Sequence, residues 1–278
     1  MKRLVSILLV FIAILPALAQ DSADSLIFQK FLRYATQEKL ENQSAGERVA
    51  AVGRFFLETP YVGYTLEAPG AEQLRINLHG LDCTTLVENA LALSRLLVSD
   101  KQDFENYRRL LTFIRYRDGK LDGFTSRLNY TSDWLTNNIQ KGLINQVYSA
   151  CKVDVFHPMV SYMSSHPNAY LALKADSLLI PILAEQESRI NQLSFSYLPK
   201  SKVTDQAKAI HNGDIIAITT GLPGLDFSHL GIAIRQKGKV YLLHASSTGK
   251  KVLISEMPLS DYLAGIKKHT GVVVVRPL

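Results

Sequence analysis

The chain is poor in cysteine and tryptophan: Cys83 and Cys151 are its only cysteines, and Trp134 is its only tryptophan. Two cysteines cannot build the disulfide framework that stabilises small secreted domains, so one bridge is the most that can form. The histidines and cysteines show no CxxC or HExxH pattern and no comparable ligand spacing. The sequence therefore predicts no metal site, and we expect no cofactor.

Long hydrophobic runs are also missing. The chain begins MKRLVSILLVFIAILPALA, with two cations at Lys2 and Arg3, then an apolar run, then an A-x-A signature that ends at Ala19. The apolar run is about thirteen residues long, whereas a membrane-spanning helix needs ~20. This order is typical of a cleaved signal peptide over residues 1–19, rather than of the alternative, an uncleaved anchor. We expect an exported, periplasmic protein.

Positive charge is in small excess. The formal net charge is +6, and removal of residues 1–19 takes away two cations and no acid, which leaves +4. The basic residues are scattered and do not interleave with aromatic residues as they do in nucleic-acid-binding surfaces. The excess fits a modest preference for acidic ligands, or solubility alone. We expect no nucleic acid partner, no membrane partner after signal cleavage, and a monomer.

Helical periodicity dominates the N-terminal half. Apolar residues recur at helical spacing in DSLIFQKFLRYAT, SAGERVAAVGRFFLET, CTTLVENALALSRLLVS and DFENYRRLLTFIRYR. We interpret the next stretch, DGFTSRLNYTSDWLTNN, as a polar, turn-rich loop. From about residue 205, turn residues separate β-rich runs such as GDIIAITT, SHLGIAIRQ, KVYLLHASS and GVVVVRPL. Helices followed by strands predict an α+β fold with an antiparallel sheet, in a single domain over residues 20–278.

One cysteine occupies an unusual place, in the segment HGLDCTTLVEN. Asp82 can cap the helix that follows, which puts Cys83 in its first turn. Free amide groups there favour a thiolate and can donate hydrogen bonds to an oxyanion. From these residues alone, Cys83 is a candidate nucleophile, a small buried apolar residue, or one half of a disulfide.

Two histidines can supply the base that such a nucleophile needs. The run SHLGIAIRQKGKVYLLHASS predicts a hairpin that turns near Lys237 and Gly238. If the loop has an even number of residues, the residue numbers of each cross-strand pair sum to 475. His229 and His244 then lie on one face of the hairpin as diagonal neighbours, ~7–8 Å apart. Gly231 then leaves room beside them for a substrate or a helix end. A three-residue loop would instead place the two histidines on opposite faces.

These motifs resemble those of the NlpC-type papain-like cysteine peptidases of bacterial cell walls. The matching segments are DCTTLV, HLGIAI, LHAS and the upstream TPYVGYTLE. An exported branch of N-acetylmuramoyl-L-alanine amidase-like proteins is more similar still, through residues 82–89 and through a block formed by Arg127, Tyr130, Asp133 and Trp134.

The resemblance implies a papain-like fold, with a helical N-terminal half packed on a C-terminal antiparallel sheet or barrel. It implies a nucleophile at Cys83, a base at His229 and an orienting residue at His244. The implied reaction is hydrolysis of the amide between the lactyl group of N-acetylmuramic acid and L-alanine. A bridged Cys83 could not attack this bond, so the resemblance also argues against a Cys83–Cys151 disulfide.

Five further residues are candidates for substrate binding. Tyr61 could donate to the oxyanion or line the groove. Arg127, Tyr130, Asp133 and Trp134 combine charges and rings that suit stem-peptide carboxylates and sugar faces. The alternative for this block is structural: a loop held by an arginine–aspartate pair, with Trp134 in the core.

Two other functions stay open. An enzyme of the same fold could cut between D-glutamate and the diamino acid of the stem peptide, and a non-catalytic protein could retain the fold and bind peptidoglycan. No separate wall-binding domain is evident in the sequence. We therefore expect the partners to be soluble peptidoglycan fragments (muropeptides), in cell-wall recycling.

Overall fold

The structure is a computed structural model, and it describes residues 23–148 and 153–278. The predicted signal peptide and Cys151 lie outside the described residues. Within these residues, no helix is both long enough and apolar enough to cross a membrane.

The predicted helices of the N-terminal half are present. The helix α1 covers residues 23–37, and the main helices that follow are α2 (Ala45–Phe55), α3 (Cys83–Leu96), α4 (Phe104–Arg115) and α5 (Thr131–Gln140). Later helices are α6 (Tyr162–Ser165), α7 (Leu171–Ala175), α8 (Leu179–Ile190), α9 (Val203–Gln206) and α10 (Leu259–Ala264).

The strands form one sheet, and all pairings between these strands are antiparallel. They are β1 (Ile144–Gln146), β2 (Asp154–Phe156), β3 (Phe195–Pro199), β4 (Ile215–Thr220), β5 (Phe227–Gln236), β6 (Lys239–Ser246), β7 (Lys251–Ile254) and β8 (His269–Pro277). Their order is β2-β3-β8-β4-β5-β6-β7, and β1 also pairs with β8. The predicted combination of helices and an antiparallel sheet is confirmed.

Alternation along the central strands explains why both faces of the sheet are covered. On β4, Ile215 and Ala217 pack into the core beneath α2 and α3, whereas Ile216 and Ile218 pack into a second core beneath α10. Successive side chains of a strand point to opposite faces, so an almost continuous apolar run is what a sheet between two layers requires.

The β5–β6 hairpin has the predicted register. Ile232 pairs with Leu243 and Gln236 pairs with Lys239, and both pairs sum to 475. The two turn residues, Lys237 and Gly238, have φ values of 49° and 77°. Positive φ at both central residues is the geometry of the two-residue turn that matches strand twist.

The middle of the chain differs from the sequence prediction in two respects. The stretch interpreted as a loop contains α5, because Trp134 and Leu135 anchor that segment in the core more strongly than its polar residues favour a turn. The short strands β1, β2 and β3 were not predicted either. A third apolar cluster joins Phe124 and Tyr130 to α6, α7 and α8, so residues 160–190 form a layer beside α5.

Candidate active site

Cys83 begins α3, as predicted. Asp82 is the N-cap: its Oδ1 accepts a hydrogen bond of 2.8 Å from the amide of Thr85, and the Thr85 hydroxyl oxygen accepts one of 2.9 Å from the amide of Asp82. This reciprocal capping box fixes where the helix starts. The Cys83 thiol is free.

The sulfur of Cys83 is held against strand β5. The backbone amide of Leu230 and both the backbone and the hydroxyl of Thr84 donate hydrogen bonds to it. These bonds lower its pKa, but desolvation by burial, reinforced by the charge of Asp82, outweighs them and raises the pKa of Cys83 to about 11. Burial therefore opposes the effect of the helix N-terminus, which favours a thiolate.

His229 and His244 are in direct contact. Nε2 of His229 lies 2.6 Å from Nδ1 of His244, and the two rings are perpendicular. Burial, together with His244, His269 and Lys268, lowers the pKa of His229 to about 3, and burial lowers that of His244 to about 4. Both imidazoles are neutral at pH 7.

A β-bulge precedes the first histidine. Ile218 pairs with His229, but Thr219 pairs with Phe227, so Ser228 is an extra residue in β5. Bulges bend a strand and re-aim its neighbouring side chains. The predicted free space at Gly231 is absent, because Leu242 fills it: a Cβ added at Gly231 would lie 2.6 Å from Cδ1 of Leu242.

Two residues beyond the pair were not found from the sequence. The ring of Tyr262 on α10 lies 5.4 Å from that of His244 and 5.9 Å from that of His269. Their positions depend on how α10 and β8 pack, which no local motif encodes.

Cys83 and His229 line the same cavity, of about 230 Å³. A second cavity, of about 350 Å³, is lined by Tyr61, Asp82 and Arg127 among others. We name these the imidazole cavity and the tyrosine cavity. They share three lining residues, namely Thr84, Asn129 and Tyr170. The loop over residues 221–228, expected to shape the pocket, contributes its last four residues to the imidazole cavity.

Tyr61 lies near Cys83. The amide of Val62 donates to the carbonyl of Leu81 at 3.1 Å, which ties the tyrosine's loop to the residue before Asp82. Burial raises the pKa of Tyr61, and Cys83 and Asp82 raise it further. The phenol therefore stays protonated and can donate a hydrogen bond.

Arg127 lines the tyrosine cavity, but its guanidinium is occupied by the protein. It pairs with Glu67, donates to the carbonyl of Leu66 at 2.9 Å and to Asn129 at 2.9 Å, and lies 3.6 Å from Glu72. These contacts favour the structural alternative for Arg127 over binding of a stem-peptide carboxylate. Arg127 instead anchors the loop that carries Tyr61.

The rest of the block also has structural partners. The Tyr130 hydroxyl donates to Glu187 at 2.7 Å and accepts from the amide of Met163 at 2.9 Å, although the residue still lines the imidazole cavity. Asp133 pairs with Arg117, not with Arg127. Trp134 is 2% exposed and lines neither cavity, so it cannot act as a platform for a sugar.

Acidic and sulfur ligands are dispersed in the described part of the chain. No group of three or more histidine, cysteine, aspartate or glutamate side chains there is arranged to hold a metal ion.

The profile of the AmiA-like family, described as N-acetylmuramoyl-L-alanine amidase-like, matches residues 51–272. The chain belongs to this AmiA-like family. The match includes every residue that lines the two cavities.

Solved structures resemble this AmiA-like chain over most of its length. A Bacteroides uniformis protein described as an N-acetylmuramoyl-L-alanine amidase has 42% identity and a TM-score of 0.80, over 84% of this chain and 99% of its own. A second structure with the same description and organism has 43% identity and a TM-score of 0.79, over 84% and 98%. A Legionella pneumophila protein at 22% identity, with a TM-score of 0.69 over 94% and 96%, shares the fold. No curated protein matches.

Proposed function

We propose that the protein is a cysteine-dependent N-acetylmuramoyl-L-alanine amidase that hydrolyses the lactyl–L-Ala amide of muropeptides. Two observations together carry the proposal. His229 lines the same cavity as the free thiol of Cys83, and its Nε2 lies 2.6 Å from Nδ1 of His244. The family description and the similar structures described as N-acetylmuramoyl-L-alanine amidases support the choice of this amide as the bond that is cleaved.

In the first step, the Cys83 thiol attacks the lactyl carbonyl carbon while its proton moves to His229. Nε2 of His229 is bound to His244, so Nδ1 is the nitrogen that takes this proton. Neutral His244 accepts the Nε2–H bond through its Nδ1 and stabilises the imidazolium that forms. The resting pair is uncharged, so charge separates only as the C–S bond forms.

The carbonyl oxygen becomes an oxyanion during this step. The first amides of a helix have no partner within it, so the Cys83 amide at the start of α3 can donate to the oxyanion. The protonated phenol of Tyr61 is a second donor on the same side.

In the second step, the C–N bond breaks and His229 returns the proton to the departing L-alanine nitrogen. This leaves a muramoyl thioester on Cys83. Water then attacks the thioester carbonyl and gives a proton to His229, the C–S bond breaks, and the sulfur regains its proton. The products are the lactyl carboxylic acid of the sugar and a free stem peptide.

The wider assignment is part of the proposal. A helix that carries the cysteine and packs on an antiparallel sheet that carries both histidines fits an NlpC-type, papain-like arrangement. The signal peptide predicted over residues 1–19 supports a periplasmic enzyme, whose substrates we take to be soluble muropeptides from wall turnover.

The test is digestion of N-acetylmuramoyl-L-Ala-D-Glu-diamino acid by the purified protein, followed by mass analysis of the fragments. We expect free N-acetylmuramic acid and an intact tripeptide. Cleavage between D-glutamate and the diamino acid would establish the endopeptidase instead. Binding without turnover, unchanged in Cys83→Ala, would establish a non-catalytic binding protein.

Matched variants test the mechanism. We expect Cys83→Ala to lower kcat by about 10⁴-fold or more, because it removes the nucleophile. Cys151→Ser, the other cysteine of the chain, should retain activity. Full turnover by Cys83→Ala would contradict cysteine catalysis.

A further inference from the structure

The direction in which a substrate lies follows from the two cavities, if the proposed function holds. His229 must protonate the leaving nitrogen, so the stem peptide departs on the side of the imidazole cavity. The acyl part of the substrate, the lactyl group with its sugar, then extends from Cys83 past Thr84 into the tyrosine cavity. A volume of about 350 Å³ is large enough for one sugar ring.

The charges of the tyrosine cavity are compensated within the protein. Nε of Arg115 donates to Glu88 at 2.8 Å, and Arg127 is paired with Glu67 and Glu72. Each guanidinium thus already faces a carboxylate of the protein. The cavity therefore suits a neutral, hydroxyl-bearing group better than an anionic peptide.

Tyr64 stands at the rim of this cavity in an unusual backbone conformation. Its φ is 63°, in the left-handed region, which costs roughly 1–2 kcal/mol for a residue with a Cβ. Its side chain is 86% exposed, so no packing within the protein offsets this cost. Backbone strain at the rim of a cavity, together with an exposed ring, indicates that Tyr64 contributes to ligand binding rather than to stability.

The loop that presents Tyr64 is nevertheless fixed. The carbonyl of Tyr64 accepts a hydrogen bond of 3.0 Å from the amide of Glu67, and Arg127 binds the Leu66 carbonyl and the Glu67 carboxylate. The ring is therefore presented in place rather than on a loose loop.

A second tyrosine also lines this cavity. Tyr170 lines both cavities and belongs to the layer over residues 160–190, which the Tyr130 hydroxyl holds through Glu187 and the Met163 amide. Burial and, to a smaller extent, the charges of neighbouring phenols and carboxylates raise the pKa of Tyr170 to about 12. Tyr64 is one of these phenols. Both phenols therefore belong to the lining of the tyrosine cavity.

We propose that Tyr64 and Tyr170 form the sugar subsite, with the N-acetylmuramic acid ring held between their side chains. A tyrosine offers an apolar face to the C–H groups of a sugar and a hydroxyl to its polar edge. This inference rests on the proposed function, and it moves the sugar platform from Trp134 to the rim of the tyrosine cavity.

The test compares two substrates that differ only in the sugar: N-acetylmuramoyl-tripeptide and D-lactoyl-tripeptide. Tyr64→Gly removes the ring and accepts the left-handed backbone, so it should fold at least as well as the wild type. We expect it to lower kcat/KM about tenfold for the muramoyl substrate and to leave the lactoyl substrate unchanged. Tyr64→Phe should retain most of the wild-type value, and Tyr170→Leu should show the same substrate dependence as Tyr64→Gly.

Lys237→Gly is the control for relief of backbone strain, since Lys237 has a φ of 49° in a turn outside both cavities. It should leave both substrates unaffected. Equal losses on the two substrates, or no loss on either, would overturn the sugar subsite.

Binding keeps the inference separate from the proposed reaction. Calorimetry with the Cys83→Ala protein should show weaker binding of the muramoyl compound, but not of the lactoyl compound, when Tyr64→Gly is added. If the wild type leaves the lactyl–L-Ala bond intact, the proposed function fails, and this binding difference still decides the subsite: its presence supports the subsite and its absence overturns it.

Discussion

The imidazole pair and the two arginines of the tyrosine cavity are buried polar groups beside the two cavities. They differ in their charge and in how far the protein itself provides their hydrogen-bond partners. His229 uses one ring nitrogen on His244 and is uncharged. Arg115 and Arg127 are charged, and each donates to both a carboxylate and a carbonyl oxygen of the protein. The sequence alone made the two histidines and Arg127 candidates for chemistry or substrate binding.

The difference teaches that availability, rather than polarity, distinguishes a reactive group from a structural one. A buried guanidinium needs its partners to offset desolvation, so a satisfied arginine is committed to the fold. A neutral imidazole carries a small desolvation cost and can leave one nitrogen unused. Three experiments test this contrast.

The largest effect should come from Arg127→Ala. It leaves Glu67 and Glu72 without their cation in a buried site, and breaking such a pair costs about 3–5 kcal/mol of unfolding free energy. Urea unfolding measures the loss. The matched control is Arg189→Ala, which breaks the exposed pair with Glu185 and should cost less than about 1 kcal/mol. Equal stabilities for the two variants would return Arg127 to the list of substrate ligands.

An intermediate effect is expected at His244. His244→Ala removes the acceptor for Nε2–H of His229 and should lower kcat about 10²-fold with little change in KM. His244→Asn retains an acceptor oxygen near the position of Nδ1, so it should recover part of that loss. If Asn and Ala were equally impaired, His244 would act through packing and not through its hydrogen bond.

The smallest effect is a change in the slope of stability against pH. His229 has a folded pKa of about 3, whereas an unfolded histidine titrates near 6.5. Between these values the unfolded chain binds a proton that the folded protein does not, so stability is complete above about pH 6.5 and falls as the pH decreases. One such proton contributes at most about 1.4 kcal/mol per pH unit.

Replacing this histidine by a group that does not titrate should reduce that slope. We expect His229→Asn to make the urea midpoint less sensitive to pH between 6.5 and 4 than it is in the wild type. His157→Asn, at an exposed histidine outside both cavities, is the control and should leave the slope unaltered. An unchanged slope in His229→Asn would show that this imidazole is already protonated in the folded state.

Local chemistry explains what could be predicted from the sequence. Asp82 and Thr85 determine the start of α3 through contacts within four residues, and a two-residue turn determines the β5–β6 register. Both features are short-range, and together they were sufficient to predict that the two imidazoles share a face.

The features that were missed depend on distant parts of the chain. The amide of Leu230 approaches the Cys83 sulfur only because α3 packs on β5, and the same packing raises the pKa of the thiol. Arg127 finds Glu67 sixty residues away. The burial of Trp134 depends on the core around α5, so a segment rich in polar residues formed a helix.

The high pKa of the Cys83 thiol has a consequence for its resistance to oxidation and alkylation. Oxidants, disulfides and alkylating agents react with the thiolate, so a sulfur that keeps its proton is a poor target for them. In the proposed reaction, this sulfur becomes reactive only when a bound carbonyl and the neighbouring His229 ring draw the proton away. Chemical durability and catalytic competence then come from the same desolvated environment.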